Sequence, residues 1–156
     1  MRSAPARGEA PRTFVPFRHD DASSRPSASF QANLGAAAGG ASDQVNGSNG
    51  SVNLFSAQAG VTGSGDTIQL YASTMTQSGS SDAFVFQPKF GEDTINGFAS
   101  TDTMQFSAAD FANFSALQSH TSQSGSNTVI TLDPSDTVTL TNVTATSLVT
   151  TQFRFV

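Results

Sequence analysis

Aspartate is the residue type through which this chain could do chemistry, and five of its aspartates share one local pattern. In Asp66-Thr67-Ile68, Asp82-Ala83-Phe84, Asp93-Thr94-Ile95, Asp102-Thr103-Met104 and Asp136-Thr137-Val138 an acid stands two places before a large apolar residue. Such an acid can end a turn by accepting backbone N–H bonds, while the residue two places on points into a core. Asp66, Asp93 and Asp102 keep a nine-residue register, and Asp82 stands outside it. As an acid pair, Asp82, Asp93 and Asp102 could serve glycoside hydrolysis, but such pairs sit in clefts with sugar-stacking aromatics. This chain has no Trp and one Tyr, Tyr71. The two histidines give little more: His19 lies in an Arg/Pro-rich stretch, and His120 lies among Ser and Gln and reads as a surface residue. No nucleophile elbow, HExxH, P-loop or dinucleotide fingerprint occurs. The chain reads as non-enzymatic.

The elements that must position these acids are short. Charged residues make up 12% of the 156, and Ser, Thr, Gly, Asn and Gln stand in their place. Short polar side chains compete for backbone hydrogen bonds and favour extended, turn-rich backbone over helix. Apolar beads appear at Val52-Leu54, Val61, Ile68-Leu70 and Met75, roughly seven to nine residues apart. Each is too short to own a core, and strands of this length become stable when similar coils stack above and below. Of the 13 Phe residues, most lie at or after Phe84, so the packed core belongs to the C-terminal half. In residues 82–98, Phe84 and Phe86 share one strand face with Val85 on the other, a turn follows at Gln87-Pro88-Lys89, and Phe90 and Phe98 are further anchors. Ser107 and Asp110 suggest a helix start, with Phe111, Phe114 and Leu117 as its apolar stripe and an end near His120. Strands are expected at 128–132 and 137–140, joined antiparallel through Asp133-Pro134-Ser135-Asp136, and a last strand carries Phe153 and Phe155.

Upstream, residues 1–30 lack apolar period and read as a disordered tail. Residues 31–50 are rich in Gly, Ala, Ser and Asn and read as a linker. The folded unit is therefore expected over 51–156. Residues 1–25 hold a balance of +2 and the remainder a balance of −7. An acidic folded part repels polyphosphate, which argues against nucleic acid as a partner. Cysteine is absent, no apolar run approaches the roughly 18 residues of a membrane span, and the N-terminus shows no hydrophobic signal region.

Residues 82–156 resemble the C-terminal region of RTX-type (haemolysin-type calcium-binding) proteins exported by bacterial type I secretion. The matching pieces are DAFVFQPKFGEDTINGF, DTMQFSAADF, NTVITLDPSDTVTLTNV and the closing FRFV. Residues 51–81 look like the last, degenerate coils of the preceding β-roll. The resemblance implies an all-β fold: a short right-handed parallel β-roll or β-helix, closed by a cap of one short helix and an antiparallel hairpin. It implies an extracellular bacterial protein without an N-terminal signal peptide, whose C-terminal region addresses it to the type I apparatus. It also implies weak calcium binding, for which Asp82, Gly91 and Asp93 are the ligand candidates. The GGxGxD repeat itself is absent, and its nearest approaches are Gly63-Ser64-Gly65-Asp66, Gly79-Ser80-Ser81-Asp82 and Gly91-Glu92-Asp93. The competing reading is a surface or matrix β-solenoid that binds polysaccharide or self-associates.

Overall fold

A computed structural model describes residues 30–35 and 43–156. Its elements in chain order are β1 (Gln31–Gly35), β2 (Asp43–Asn46), β3 (Ser51–Phe55), β4 (Gln58–Thr62), β5 (Thr67–Tyr71), β6 (Thr74–Ser78), β7 (Ala83–Phe86), β8 (Glu92–Asn96) and β9 (Thr103–Phe106). Then follow α1 (Phe114–Ser119), β10 (Thr121–Ser124), β11 (Asn127–Asp133), β12 (Asp136–Thr141), two single 3-10 turns and β13 (Phe153–Phe155). Odd-numbered strands β1-β3-β5-β7-β9-β13 form one sheet, entirely parallel. Even-numbered strands β2-β4-β6-β8 form the facing parallel ladder, which β12, β11 and β10 extend. From β1 to β9 the chain alternates between the two sheets at every strand, which makes a β-solenoid.

Alternation of side chains decides what fills it. Every strand from β3 to β9 buries its even-placed residues and exposes or half-exposes the others. Register then stacks like on like: Val52 on Ile68 on Phe84 on Met104, and Leu54 on Leu70 on Phe86. No single strand could bury such a residue alone, but each coil roofs the one beneath it. The solenoid begins before Ser51. β1 and β2 pair in register with β3 and β4, although the Gly/Ala/Ser/Asn composition there reads as linker. Ala32, Leu34 and Val45 supply the apolar contacts that make this coil stack. The tail expected over 1–30 falls, Phe30 apart, outside the described residues.

The C-terminal cap matches the expected hairpin and differs over the helix. β11 and β12 are antiparallel around the 133–136 turn, where Asp133 Oδ1 accepts from the N–H groups of Ser135 (2.7 Å) and Asp136 (3.0 Å). The helix starts at Phe114, not after Ser107. Asn113 is its N-cap, accepting from Ala116 N–H at 3.0 Å, while Ser107 caps only a turn through Ala109 N–H. Phe111 is buried from that turn, not from the helix. The Ser/Gln/Gly stretch after the helix, expected as loop, contains β10, which pairs antiparallel with β11.

Phenylalanine fills the cap. Phe86 and Phe106 stack with centroids 4.7 Å apart at 10°, Phe90 meets both edge-on, and Phe111 stands at 88° to Phe106. Offset stacking and T-shaped contacts suit the ring quadrupole and add to the area buried. Phe84, Phe86, Phe90, Phe106 and Phe111 are all fully buried.

Candidate functional site

The five Asp-x-apolar steps behave alike toward the core: Ile68, Phe84, Ile95, Met104 and Val138 are all fully buried. Their aspartates are also buried, and they line two different corners of the solenoid. Asp66, Asp82 and Asp102 form the first column. Asp66 Oδ1 accepts from Gly50 N–H (2.8 Å), Asp82 Oδ1 from Asp66 N–H (2.8 Å) and Asp102 Oδ1 from Asp82 N–H (3.0 Å). Each carboxylate thus serves the backbone of the coil before it. The nine-residue register linking Asp66, Asp93 and Asp102 is not the one the fold uses. The partners are 16 residues apart, then 20, and Asp82 belongs to the column.

The full turn repeats with the same period. Gly47-Ser48-Asn49-Gly50, Gly63-Ser64-Gly65-Asp66 and Gly79-Ser80-Ser81-Asp82 lie over one another, and this sixteen-residue echo was the sequence signal for the corner. Its third position is left-handed in every coil, with φ 58° at Asn49, 73° at Gly65 and 63° at Ser81. Its first position admits only glycine: a Cβ on Gly63 would run into the Gly47 carbonyl, and one on Gly79 into the Gly63 carbonyl. The serines form a ladder, Ser64 N–H to Ser48 Oγ and Ser80 N–H to Ser64 Oγ, both 3.1 Å. Asn49 N–H and Gly65 N–H donate to the carbonyls of Ser64 and Ser80, again at 3.1 Å. At the last rung Asp102 Oδ2 takes Ala99 N–H (2.8 Å) and the buried amide of Gln77.

The second corner carries Ser73, Asp93 and Asp136. Ser73 Oγ accepts from Ala57 N–H (3.2 Å), Asp93 Oδ1 from Ser73 N–H (2.6 Å) and Asp136 Oδ1 from Gly91 N–H (2.6 Å). The remaining oxygen of Asp93, Oδ2, is buried without a partner. Burial pushes the Asp93 carboxyl up to about 7, with the Asp136 charge adding to it against the Ser73 hydrogen bond. Burial likewise pushes Asp82 up to about 6, against its hydrogen bond from Asp66 N–H, with the Asp102 and Asp66 charges helping. Asp66 and Asp110 are raised by burial as well.

The structure therefore does not gather Asp82, Gly91 and Asp93 into one site. Asp82 stands in the first column and Asp93 in the second. Gly91 gives its N–H to Asp136 and takes Thr137 N–H on its carbonyl at 2.9 Å. Among the described residues no group of three or more His, Cys, Asp or Glu side chains could hold a metal ion. Calcium takes six to eight oxygens. The residues present do not fit it, because the candidate carboxylates stand in different corners, and Oδ1 of each already accepts a backbone N–H.

His120 is exposed at the end of α1, with Nδ1 2.8 Å from the Thr131 carbonyl and its ring 5.5 Å from that of Phe111. A cavity of about 280 Å³ opens between β12 and the 3-10 turns, lined by Phe98, Asn142, Thr144, Leu148 and Gln152 among others. None of its lining residues is titratable. No described helix is long and apolar enough to cross a membrane.

No protein-family description and no curated protein matches the chain. Among solved structures, the extracellular lipase LipA from Serratia marcescens is similar over 81% of this chain at 19% identity and a TM-score of 0.48. The chain spans 20% of that lipase's length.

Proposed function

We propose that this chain is a secreted, non-catalytic β-roll module whose residues 82–156 carry a type I export signal. The observation that carries the reading is the way the fold is closed. The four stretches that bear the RTX resemblance build one continuous plug: β7 to β9, the β11–β12 hairpin, and β13 laid parallel on β9. The first coils depend on their neighbours, so the chain stays open until that plug forms. A segment with few charges and short strands is easily kept extended for passage through a channel, and it folds once outside.

The hydrogen-bonded corners support a roll that needs no cation between its coils. Calcium raised to millimolar is expected to leave the thermal unfolding curve where it was. A rise of several degrees would restore the metal to the account. The export reading is tested by producing the full chain in cells with and without a type I apparatus, and by fusing residues 82–156 to a passenger. Passage into the medium only when the apparatus is present supports it. Retention of both proteins inside the cell overturns it.

A further inference from the structure

The outward face of the first sheet carries an exposed feature that neither the core nor the corners explain. Phe55 and Tyr71 are directly paired across β3 and β5, 47% and 44% exposed, with ring centroids 6.5 Å apart. A single exposed ring on a protein surface needs no account, but two in register form a strip. Gly35 stands next in that row, and among the described residues nothing lies within 4 Å of where its side chain would be. Beside it, two residues back on each strand, runs a row of amides: Asn33, Asn53 and Gln69, with Asn53 Nδ2 donating to Asn33 Oδ1 at 2.6 Å. Ser51 and Thr67 flank that row. β1, β3, β5, β7 and β9 contain no Asp, Glu, Lys or Arg at all, and Arg154 on β13 is the sheet's sole charged residue. The strands of the other sheet, by contrast, carry Asp43, Glu92, Asp93, Asp133 and Asp136.

From this juxtaposition we infer that the Phe55–Tyr71 strip and its amide row form a docking face for a neutral polysaccharide chain. Half-exposed rings stack on the C–H face of a pyranose. With one N–H of Asn53 already given to Asn33 Oδ1, the row still offers the amide nitrogens of Asn33 and Gln69, the second N–H of Asn53, and the oxygens of Asn53 and Gln69 to hydroxyls along its edge. The absence of charge matches an uncharged glycan and gives nothing to a uronic or sulfated one. A second copy of this chain is a poorer occupant, because two half-exposed side chains fall far short of the roughly 1,000 Å² that a stable protein interface buries. The inference stands independently of the export reading.

The chain has one tyrosine and no tryptophan, so its tyrosine fluorescence reports this face alone. Full-length protein is titrated with soluble cello-, chito- and β-1,3-gluco-oligosaccharides, and depletion is measured on cellulose, chitin and insoluble β-glucan, with alginate as the charged comparison. At least one neutral series is expected to change the fluorescence saturably, and its polymer to deplete the protein, while alginate does neither. Phe55→Ala and Gln69→Glu are each expected to weaken binding about tenfold with unchanged circular dichroism, and Tyr71→Trp to keep it. Absence of a response to every neutral glycan overturns the inference, as does equal binding by Phe55→Ala. Concentration-dependent sedimentation abolished by Phe55→Ala also overturns it, by assigning the face to a second copy.

Discussion

Asp93 carries an oxygen that meets no hydrogen-bond partner in the folded chain. Its carboxyl is raised to about 7, against roughly 3.9 for an exposed aspartate, so between about pH 4 and 7 the folded chain holds a proton that the unfolded chain releases. Stability must then fall as pH rises through that window, because the native state binds more protons there than the unfolded one. Asp82, raised to about 6, adds the same sign over the lower part of the range. Thermal unfolding followed by circular dichroism is expected to show a midpoint lower at pH 8 than at pH 5. Asp93→Asn keeps an Oδ1 acceptor for Ser73 N–H and removes the titration. Its midpoint should change less with pH and lie a few degrees above the parent at pH 8. A midpoint that rises with pH in both proteins would contradict the assignment. Gly79 gives a second test at this scale. An alanine methyl there would strike the Gly63 carbonyl, and Gly79→Ala should destabilise by about 1–3 kcal/mol in denaturant titration.

Among the elements, β7 and the 133–136 hairpin were the most legible, because each announces itself locally. Phe84-Val85-Phe86 alternates within three residues, and Asp-Pro at the start of a turn fixes both conformation and hydrogen bonding. The inward position two places after each aspartate was equally plain. The partner of each aspartate was not, since the N–H it accepts belongs to another coil and nothing next to it in the chain specifies that coil. Only the Gly-Ser pairs at 47, 63 and 79 disclose the spacing, and a nine-residue repeat template passes over them. Bead spacing of seven to nine residues measured half a coil, one strand and one corner. α1 begins seven residues after Ser107, because Ser107 and Asn113 are both competent caps and Asn113 is the one used. The aromatic packing that buries Phe111 in a turn outweighed the local box. That packing gives the test at this scale. Phe106 touches Phe86, Phe90 and Phe111, and Phe106→Ala is expected to cost about 3–5 kcal/mol and to loosen the whole cap. A loss under about 1 kcal/mol would mean the rings are not the plug.

For the whole molecule, cooperativity follows from the stacking. β3 to β9 each pair with the strand above and below and share one core with the facing sheet, so stability rises coil on coil and is closed by the C-terminal cap. Removing residues 107–156 is expected to abolish the cooperative unfolding transition of the remaining coils, with loss of the β-sheet signal in circular dichroism. A truncated chain that still melted sharply would show the coils to be self-sufficient. The calcium and export outcomes belong to this scale too, since both concern how a roll with hydrogen-bonded corners is closed.

The lengthening of the circuit from 16 residues to 20 between the β5–β7 and β7–β9 steps has a further result. The four added residues lie in one corner, between β7 and β8, and bring Phe90 into the core, where the column above grows from valine and leucine to phenylalanine. Equal loops could slide past one another by a full storey and still find matching neighbours. Here a slip by one storey would set Phe90 and its longer corner on a coil whose corner is four residues shorter. The oversized corner thus marks its storey, and the chain has one order in which to climb.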